Sequence, residues 1–222
     1  MKTTDTRQTK SSVILSSNYF GNIQTFSHIV KSGTVVIEQN DHYSRQSYRN
    51  RTTIMAANGL MNLIVPVVKP KGKTQTKDIL ISYDTNWQKN HWRSIFSAYN
   101  SSPFFEYYKD DLYPVFLKQW RYLTDLNKKL LELTLEMIEA NPKIEYPDEY
   151  IEAVPDDSLD LREVIHPKKD FRKFDPDFSP VTYRQVFSET MDFVPNLSIL
   201  DLIFNKGPEA YSVLEESLRG DY

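Results

Sequence analysis

The chain has 222 residues and contains no cysteine. Disulfide bonds, thiolate zinc sites and a cysteine nucleophile are therefore excluded. The short motifs that would dictate a reaction are missing as well: there is no GxxxxGK[ST] or GxGxxG phosphate loop, no GxSxG nucleophile turn and no HExxH zinc helix. Function must therefore be inferred from how ordinary polar residues are grouped.

Long apolar runs and an excess of positive charge are also absent. No stretch approaches the roughly 18 apolar residues of a membrane span, and the polar start MKTTDTRQTKSS has no apolar signal segment behind it. The net charge is -3 and the pI is about 5.8, whereas a general nucleic-acid binder needs a basic face. We expect a soluble cytoplasmic protein with no membrane span and no nucleic-acid partner.

The apolar patterns that are present predict an α/β fold. A strand begins at residues 13–15, apolar residues recur at helical spacing over 22–31, and residues 34–37 form a β-branched run typical of a buried strand. Such a strand, helix, strand unit belongs to a Rossmann-like, partly parallel sheet. Its ligand binds beyond the carboxyl ends of the strands, which here are residues 16–20 and 38–42.

The remaining segments predict a β-hairpin insertion and a helical C-terminal half. Asn58-Gly59 suits a tight hairpin turn between strands at 51–56 and 60–68. Further predicted segments are a strand at 79–81, a helix over 87–98 opened by a Thr85/Gln88 capping box, a long helix over 112–140, a wrapping loop over 142–180, and short helices near 197–204 and 209–218. We expect a disordered tail at 1–12 and a single domain at 13–222, with its α/β part at about 13–100 and its helical part at about 101–222.

The segment QSYRNR, residues 46–51, is the most suggestive for function. If residues 43–51 form an extended strand, Arg45, Arg49 and Arg51 lie on one side and polar side chains line the other. A strand that is polar on both faces is either solvated or lines a cleft. The mixture of guanidinium, amide and phenol groups favours a cleft that binds phosphate or carboxylate.

The histidines offer weaker candidates. His91 lies on an otherwise apolar helix face, as a general base or as a packed core histidine. Glu38 and His42 are four residues apart, but they follow a β-branched strand, so we predict no metal site. His166 and Lys168 form either a solvated basic turn or a lid over an anion.

Several phrases occur together in an order that resembles the WbqC-like protein family over about residues 13–214: QSYRNR, ANG before a strand with VPV, HWRSIFSAYNSSPFFEYYKDD, EVIHPKKDF and PNLSILDLIFNKGPE. The resemblance implies surface-polysaccharide or amino-sugar metabolism, with aminoacyl (glycyl) transfer as one proposed reaction. Some members begin with a pattern similar to HIGH-type nucleotidylyltransferases. Residues 17–26 of this chain lack both histidines of that motif, and their glycine is displaced.

Together these observations predict a small transferase whose substrate is a small anionic molecule such as a nucleotide or sugar nucleotide. The predicted ligand-binding residues are Asn18, Tyr19, Gln46, Tyr48, Arg49, Asn50 and Arg51, with Lys71, His166 and Lys168 as lid candidates and His91 or His42 as base. Arg49→Ala is expected to abolish binding and leave the melting temperature almost unchanged. The alternative is a noncatalytic binding or assembly protein, and the sequence specifies neither a cofactor nor an oligomeric state.

Overall fold

The computed structural model describes residues 11–219. Its elements in chain order are β1 (Ser12–Ser16), α1 (Ile23–Lys31), β2 (Thr34–Glu38), β3 (Arg51–Ala56), β4 (Gly59–Ile64), α2 (Trp87–Tyr99), α3 (Phe105–Leu117), α4 (Leu123–Met137), β5 (Lys143–Glu145), β6 (Ser158–Asp160), α5 (Phe171–Phe174), α6 (Ile199–Lys206) and α7 (Ala210–Glu216). Residues 1–10 of the predicted tail lie outside the described residues, and Ser12 already belongs to β1.

Four parallel strands form the central sheet, in the order β5-β2-β1-β6. Val13 and Leu15 of β1 are fully buried, and so is Val35 of β2, because a parallel sheet is covered on both faces. Counted along the chain, the strand order is 3-2-1-4, as in the Rossmann fold. The predicted α/β class with a partly parallel sheet is confirmed.

A separate two-stranded sheet holds the predicted hairpin. β3 and β4 pair antiparallel, with Ala56 opposite Gly59. Gly59 has φ +105, a conformation that side chains disfavour, which explains the glycine at the turn. The hairpin is anchored to the rest of the fold because the Thr52 hydroxyl donates to the Phe20 carbonyl at 2.9 Å.

The single long helix predicted over residues 112–140 is wrong, since α3 and α4 are separate helices. Between them the backbone pairs with an extended segment: Ile81 N–H donates to the Arg121 carbonyl at 3.1 Å and Leu123 N–H donates to the Ile79 carbonyl at 2.9 Å. These bonds replace helical ones and interrupt the helix. Residues 79–81 form isolated bridges rather than the predicted strand.

The predicted wrapping loop over residues 142–180 is also wrong in part. It contributes β5 and β6, which are the two outer strands of the parallel sheet, and the short helix α5. Each of these strands has three residues, too few to show an alternating pattern. The predicted capping box is absent: the N-cap of α2 is Asn86 and makes no side-chain capping bond.

Helices dominate the C-terminal half, as predicted. The two short helices expected near the end of the chain are α6 and α7, and Gly207-Pro208 separate them within a 3-10 turn. Between residues 11 and 219, no helix is both long and apolar enough to cross a membrane.

Candidate functional site

The strand order places a crevice at the carboxyl ends of β1 and β6. From β1 the chain moves to β2 and β5 on one side, and β6 then adds on the opposite side. The connections therefore leave the sheet in opposite directions between β1 and β6. This topological switch point is where open α/β sheets bind ligands. The loop after β2, residues 39–50, and the loop after β6, residues 161–170, flank it.

A fully bonded ionic group braces this edge. The Arg162 guanidinium donates to both carboxylate oxygens of Asp160 at 2.9 and 2.8 Å, to Glu38 at 3.3 Å and to the Ile151 carbonyl at 2.9 Å. Glu38 is fully buried and also accepts the Asn40 N–H at 2.7 Å. Burial alone would raise the pKa of Asp160, but hydrogen bonds and charge from Arg162 outweigh it and lower that pKa. This group ties the strand ends together.

The loop after β2 departs from the predicted extended strand. Residues 45–50 form turns and bends, and Gln46 has φ +60, so the alternation of side chains expected for a strand does not occur. The reason is tertiary: this loop folds against residues 74–77, with Tyr43 N–H donating to the Thr74 carbonyl at 3.0 Å. The arginines are therefore placed by turns rather than by strand geometry.

Arg49 is buried in this loop with unused donor capacity. Only 3% of it is exposed, and it pairs with Asp41. Asp41 also accepts the Thr76 hydroxyl at 2.5 Å. The Nε of Arg49 is buried and has no hydrogen-bond partner among residues 11–219, and the same is true of the Nε of Arg51. A buried N–H without an acceptor is costly, so an acceptor that reached either Nε would be bound favourably.

Cationic residues from distant parts of the chain converge here. Burial lowers the pKa of His166, the charges of Lys169, Lys168 and Arg49 lower it further, and Glu163 opposes them. The lysines and Arg49 are therefore close enough to His166 to act on it electrostatically. His166 Nδ1 accepts the Lys168 N–H at 3.2 Å. The structure thus brings together Arg49, His166 and Lys168, three of the predicted binding residues.

Tyr43 is a second group on which nearby arginines act electrostatically. Burial raises the pKa of its phenol, and the charges of Arg51, Arg49 and Arg45 oppose that rise. All three arginines therefore act on one hydroxyl. Arg45 is exposed and Arg51 is half-buried. The concentration of positive charge agrees with an anion-binding surface.

Asn127 connects the end of β1 to the loop that carries Arg49. Its side-chain amide donates to the Ser17 hydroxyl at 3.1 Å and to the Arg49 carbonyl at 2.9 Å. Its Oδ1 is buried with no partner in the described chain. Asn18 and Asn127 line a cavity of about 20 Å³ between β1 and α4, which is room for about one water molecule.

The other predicted residues of the first loop and hairpin have structural contacts. Tyr19 is buried, and its N–H donates to the Tyr48 carbonyl at 2.9 Å. Asn50 and Val65 exchange two hydrogen bonds, of 2.9 and 2.8 Å. Asn18 is half-buried, and its amide lies 3.5 Å from the Thr25 hydroxyl. The bonds of Tyr19 and Asn50 hold the loop that carries Arg49.

Three predicted residues are exposed at the periphery, namely Gln46, Lys71 and His42. His42 bridges to Gln75 through the backbone, and the Thr74 hydroxyl bonds the Lys71 carbonyl at 3.0 Å. These bonds leave the side chains of His42 and Lys71 free to face solvent. Their roles as base and lid stay predictions.

His91 has the geometry of the packed core histidine left open above. It is 6% exposed, and its Nδ1 lies 2.8 Å from the Tyr19 hydroxyl. Burial lowers the pKa of His91 to about 4, with a backbone hydrogen bond to Ile64 opposing the shift. His91 is therefore neutral at pH 7, and its Nδ1 is already in use. Its role as a base stays a prediction.

Sequence reasoning missed Asn127 and Arg162. Asn127 interrupts the apolar stripe of α4 formed by Leu123, Leu126 and Leu130, and a polar residue at a core position is a signal that could have been found. Arg162 carried no comparable signal, because β6 was not predicted. Over residues 11–219 no group of three or more His, Cys, Asp or Glu side chains is arranged to hold a metal ion.

The fold defines an α/β protein with Rossmann strand order, and cationic side chains lie in the loops that flank its switch point. Comparison with known proteins identifies the family: the WbqC-like protein family matches residues 16–169 and 162–213, and the chain belongs to it. "Uncharacterized protein Rv1507c" of Mycobacterium tuberculosis (strain ATCC 25618 / H37Rv) is 29% identical over 222 residues, covering 90% of this chain and 96% of that protein. No solved structure matches.

Proposed function

We propose that this protein is a transferase of surface-polysaccharide or amino-sugar metabolism that binds a phosphate-bearing donor, such as a nucleotide or sugar nucleotide, at the β1/β6 crevice. One observation carries the proposal: the charge of Arg49 acts on the pKa of His166, which is far away in the sequence, and the Nε of Arg49 is buried with no hydrogen-bond partner within residues 11–219. Family membership supports the biological context. The reaction that we favour within it is aminoacyl transfer: the amine of an amino sugar attacks the carbonyl of an aminoacyl nucleotide, an amide C–N bond forms as the acyl–phosphate C–O bond breaks, and the nucleotide leaves with its phosphate.

The roles of the residues follow from their positions. Arg49 and Arg51 offer fork-shaped donors that match phosphate oxygens. Lys168 is exposed on the turn after β6, where it can approach a bound anion from outside and act as a lid. Positive groups that are already oriented stabilise the charge that develops on a leaving phosphate without reorganising.

A base is needed to take a proton from an attacking amine. We assign this role to His42, since its side chain is exposed and lies in the same loop as Arg49. His91 remains the second candidate, but the Tyr19 hydroxyl occupies its Nδ1. His42→Ala should reduce turnover and leave donor affinity unchanged, whereas His91→Ala should reduce stability.

The test is a thermal-shift screen against inorganic phosphate, ATP, CTP and UDP-sugars, with and without magnesium. A ligand that binds only the folded state raises the melting temperature. We expect one nucleotide class to do so in the wild type and in Lys173→Ala. Lys173 is an exposed lysine of α5, close in sequence to Lys168, and serves as the matched control.

Lys168→Ala should reduce the shift while the melting temperature without ligand stays the same, because Lys168 is exposed. If Lys168→Ala and Lys173→Ala reduced the ligand-induced shift equally, the effect of Lys168 would be one of general surface charge and not of a specific contact. No shift with any compound would count against a phosphate-bearing donor.

A second candidate, a noncatalytic binding or assembly protein, is favoured by the apolar surface of the hairpin. Leu60 is 60% exposed and Ile64 is 42% exposed. They are four residues apart in β4 and therefore lie on the same face of the strand. In this case light scattering should give a mass above that of the monomer, and Leu60→Asp should restore the monomer. A wild type that stays monomeric at high concentration would contradict self-assembly.

A further inference from the structure

A second and larger depression opens between the start of α2 and the end of α3. Its volume is about 360 Å³, within the range of about 300–1,000 Å³ typical of small-molecule sites. Five aromatic rings line it: Tyr83, Trp87, Trp92, Tyr113 and Phe116. We call it the aromatic groove.

The rim of the aromatic groove exposes rings that a soluble fold would otherwise bury. Tyr83 is 36% exposed, Tyr113 is 41% exposed, and Leu117 beside them is 64% exposed. Single exposed apolar residues are common, but several that converge on one concave surface mark a binding site.

The walls of the groove are already fixed in position. The Tyr83 hydroxyl donates to the Trp120 carbonyl at 3.0 Å and accepts the Trp120 N–H at 2.7 Å. The rings of Trp92 and Tyr113 pack with centroids 4.8 Å apart. A ligand that enters therefore orders few side chains, which lowers the entropic cost of binding.

The polar groups of the groove are mostly neutral. The indole N–H of Trp87 is buried with no acceptor in the described part of the chain. The amides of Asn86 and Gln119 line the groove, and Lys89 is the single charged residue among the lining residues. Amides and an indole N–H suit hydroxyl groups, whereas a phosphate calls for guanidinium or ammonium clusters.

The ring geometry further restricts the ligand. Tyr83 and Trp87 are inclined to each other by 40°, and Trp92 is inclined to Tyr113 by 39° and to Phe116 by 43°. Because these neighbouring rings are tilted, the groove presents ring faces at several inclinations rather than one flat platform. They suit a puckered ring that presents C–H groups on its faces and hydroxyl groups at its edge.

From these contacts we infer that the aromatic groove binds an uncharged pyranose sugar. One C–H face of the sugar packs against Tyr113 and Trp92, and its hydroxyls bond the neighbouring amides and the Trp87 N–H. The inference goes beyond the proposed anion site and does not depend on it, since none of the groove residues belongs to the β1/β6 crevice.

The probe is methyl β-glucopyranoside, followed by saturation-transfer NMR and by tryptophan fluorescence, because two of the three tryptophans line the groove. We expect millimolar binding, with Tyr113→Ala about tenfold weaker because a stacking ring is lost. Trp87→Phe keeps a ring and removes the N–H donor, so it should weaken binding as well. Tyr107→Ala is the matched control, since Tyr107 lies on α3, is 75% exposed and does not line the groove.

Three outcomes would overturn the inference: no saturation transfer to the glucoside, tighter binding of adenosine than of the glucoside, or an equal loss in Tyr113→Ala and Tyr107→Ala. Lys168→Ala should leave glucoside binding unchanged. The experiments therefore test anion binding at the β1/β6 crevice and sugar binding at the aromatic groove independently.

Discussion

Two buried arginines at the same edge of the sheet differ in how their donors are used. Arg162, 8% exposed, bonds two carboxylates and a backbone carbonyl. Arg49, 3% exposed, pairs with Asp41 alone and leaves its Nε without a partner within residues 11–219. Burial is therefore similar, while the number of satisfied donors is not. We interpret Arg162 as a structural brace and Arg49 as a residue with capacity for a ligand.

The difference follows from the neighbours of each arginine. Asp160, two residues before Arg162, and the fully buried Glu38 lie at the carboxyl ends of β6 and β2, the two strands that flank β1 in the parallel sheet. Arg49 lies in a turn with cations nearby and one acidic partner. Buried polar groups are normally hydrogen-bonded, so the unpartnered Nε of Arg49 calls for an explanation that Arg162 does not need.

Removing the brace should have the largest effect. Arg162→Ala leaves Glu38 charged and buried without its cation, which should reduce the free energy of unfolding by about 4 kcal/mol. Urea unfolding measures the change. Arg162→Lys keeps the positive charge but cannot make the paired hydrogen bonds of a guanidinium, so it should be less destabilised than Arg162→Ala. A loss below about 1 kcal/mol for Arg162→Ala would contradict the structural role of Arg162 on which the comparison with Arg49 rests.

His91, like Arg162, is buried and hydrogen-bonded within the fold, so we expect it to affect stability. Its pKa falls from 6.5 to about 4 on folding, so below pH 6.5 the unfolded state takes up a proton that the folded state does not. This contribution is complete above pH 6.5 and is lost as the pH falls toward 4, by about 3 kcal/mol. Unfolding curves at several pH values should show this decline. His91→Gln should flatten it, and an unchanged slope in that variant would contradict the assignment.

Arg49→Ala should cost less stability than Arg162→Ala and more binding. The sequence predicted an almost unchanged melting temperature, but the burial of Arg49 and its ion pair with Asp41 now predict a loss of about 2 kcal/mol, that of one charge-assisted hydrogen bond. Phosphate binding should disappear in Arg49→Ala and persist in Arg162→Lys. Retained phosphate affinity in a folded Arg49→Ala variant would place the anion elsewhere.

The smallest expected effect is a pH dependence of anion binding. Burial and the neighbouring cations hold the pKa of His166 below its usual 6.5, so His166 is neutral at pH 7 and gains charge as the pH falls below that value. Sulfate, whose own charge stays constant, should bind more tightly once the pH is lowered far enough to protonate His166, and binding measured from pH 7.5 downward shows the increase. His166→Ala should remove the increase. An equal increase in the variant would assign it to other groups.

Local patterns predicted the elements with strong signals. The β-branched run of β2, the helical spacing of α1 and the Asn-Gly hairpin turn all lie where the sequence indicated. The errors fall where tertiary pairing overrides local preference. The three residues of β6 pair with β1, and Arg121 bonds the backbone of residue 81 instead of continuing a helix.

The candidate site was predicted in part by residue type and hardly at all by geometry. Arg49, His166 and Lys168 were named because guanidinium, imidazole and ammonium groups suit an anion. Their proximity depends on β6 joining the sheet beside β1, and no local pattern encodes that step. Asn127 was overlooked even though its polarity within an apolar stripe marked it.

By itself the sequence determined the α/β class, the first strand, helix, strand unit and the cationic character of residues 45–51, because periodicity and residue chemistry are local properties. Only the tertiary structure decided that Arg162 is braced, that Arg49 has an unused donor and that His91 is buried beside Tyr19. Each of these depends on which distant residue lies opposite, since burial and hydrogen-bond satisfaction arise only when separate segments pack together.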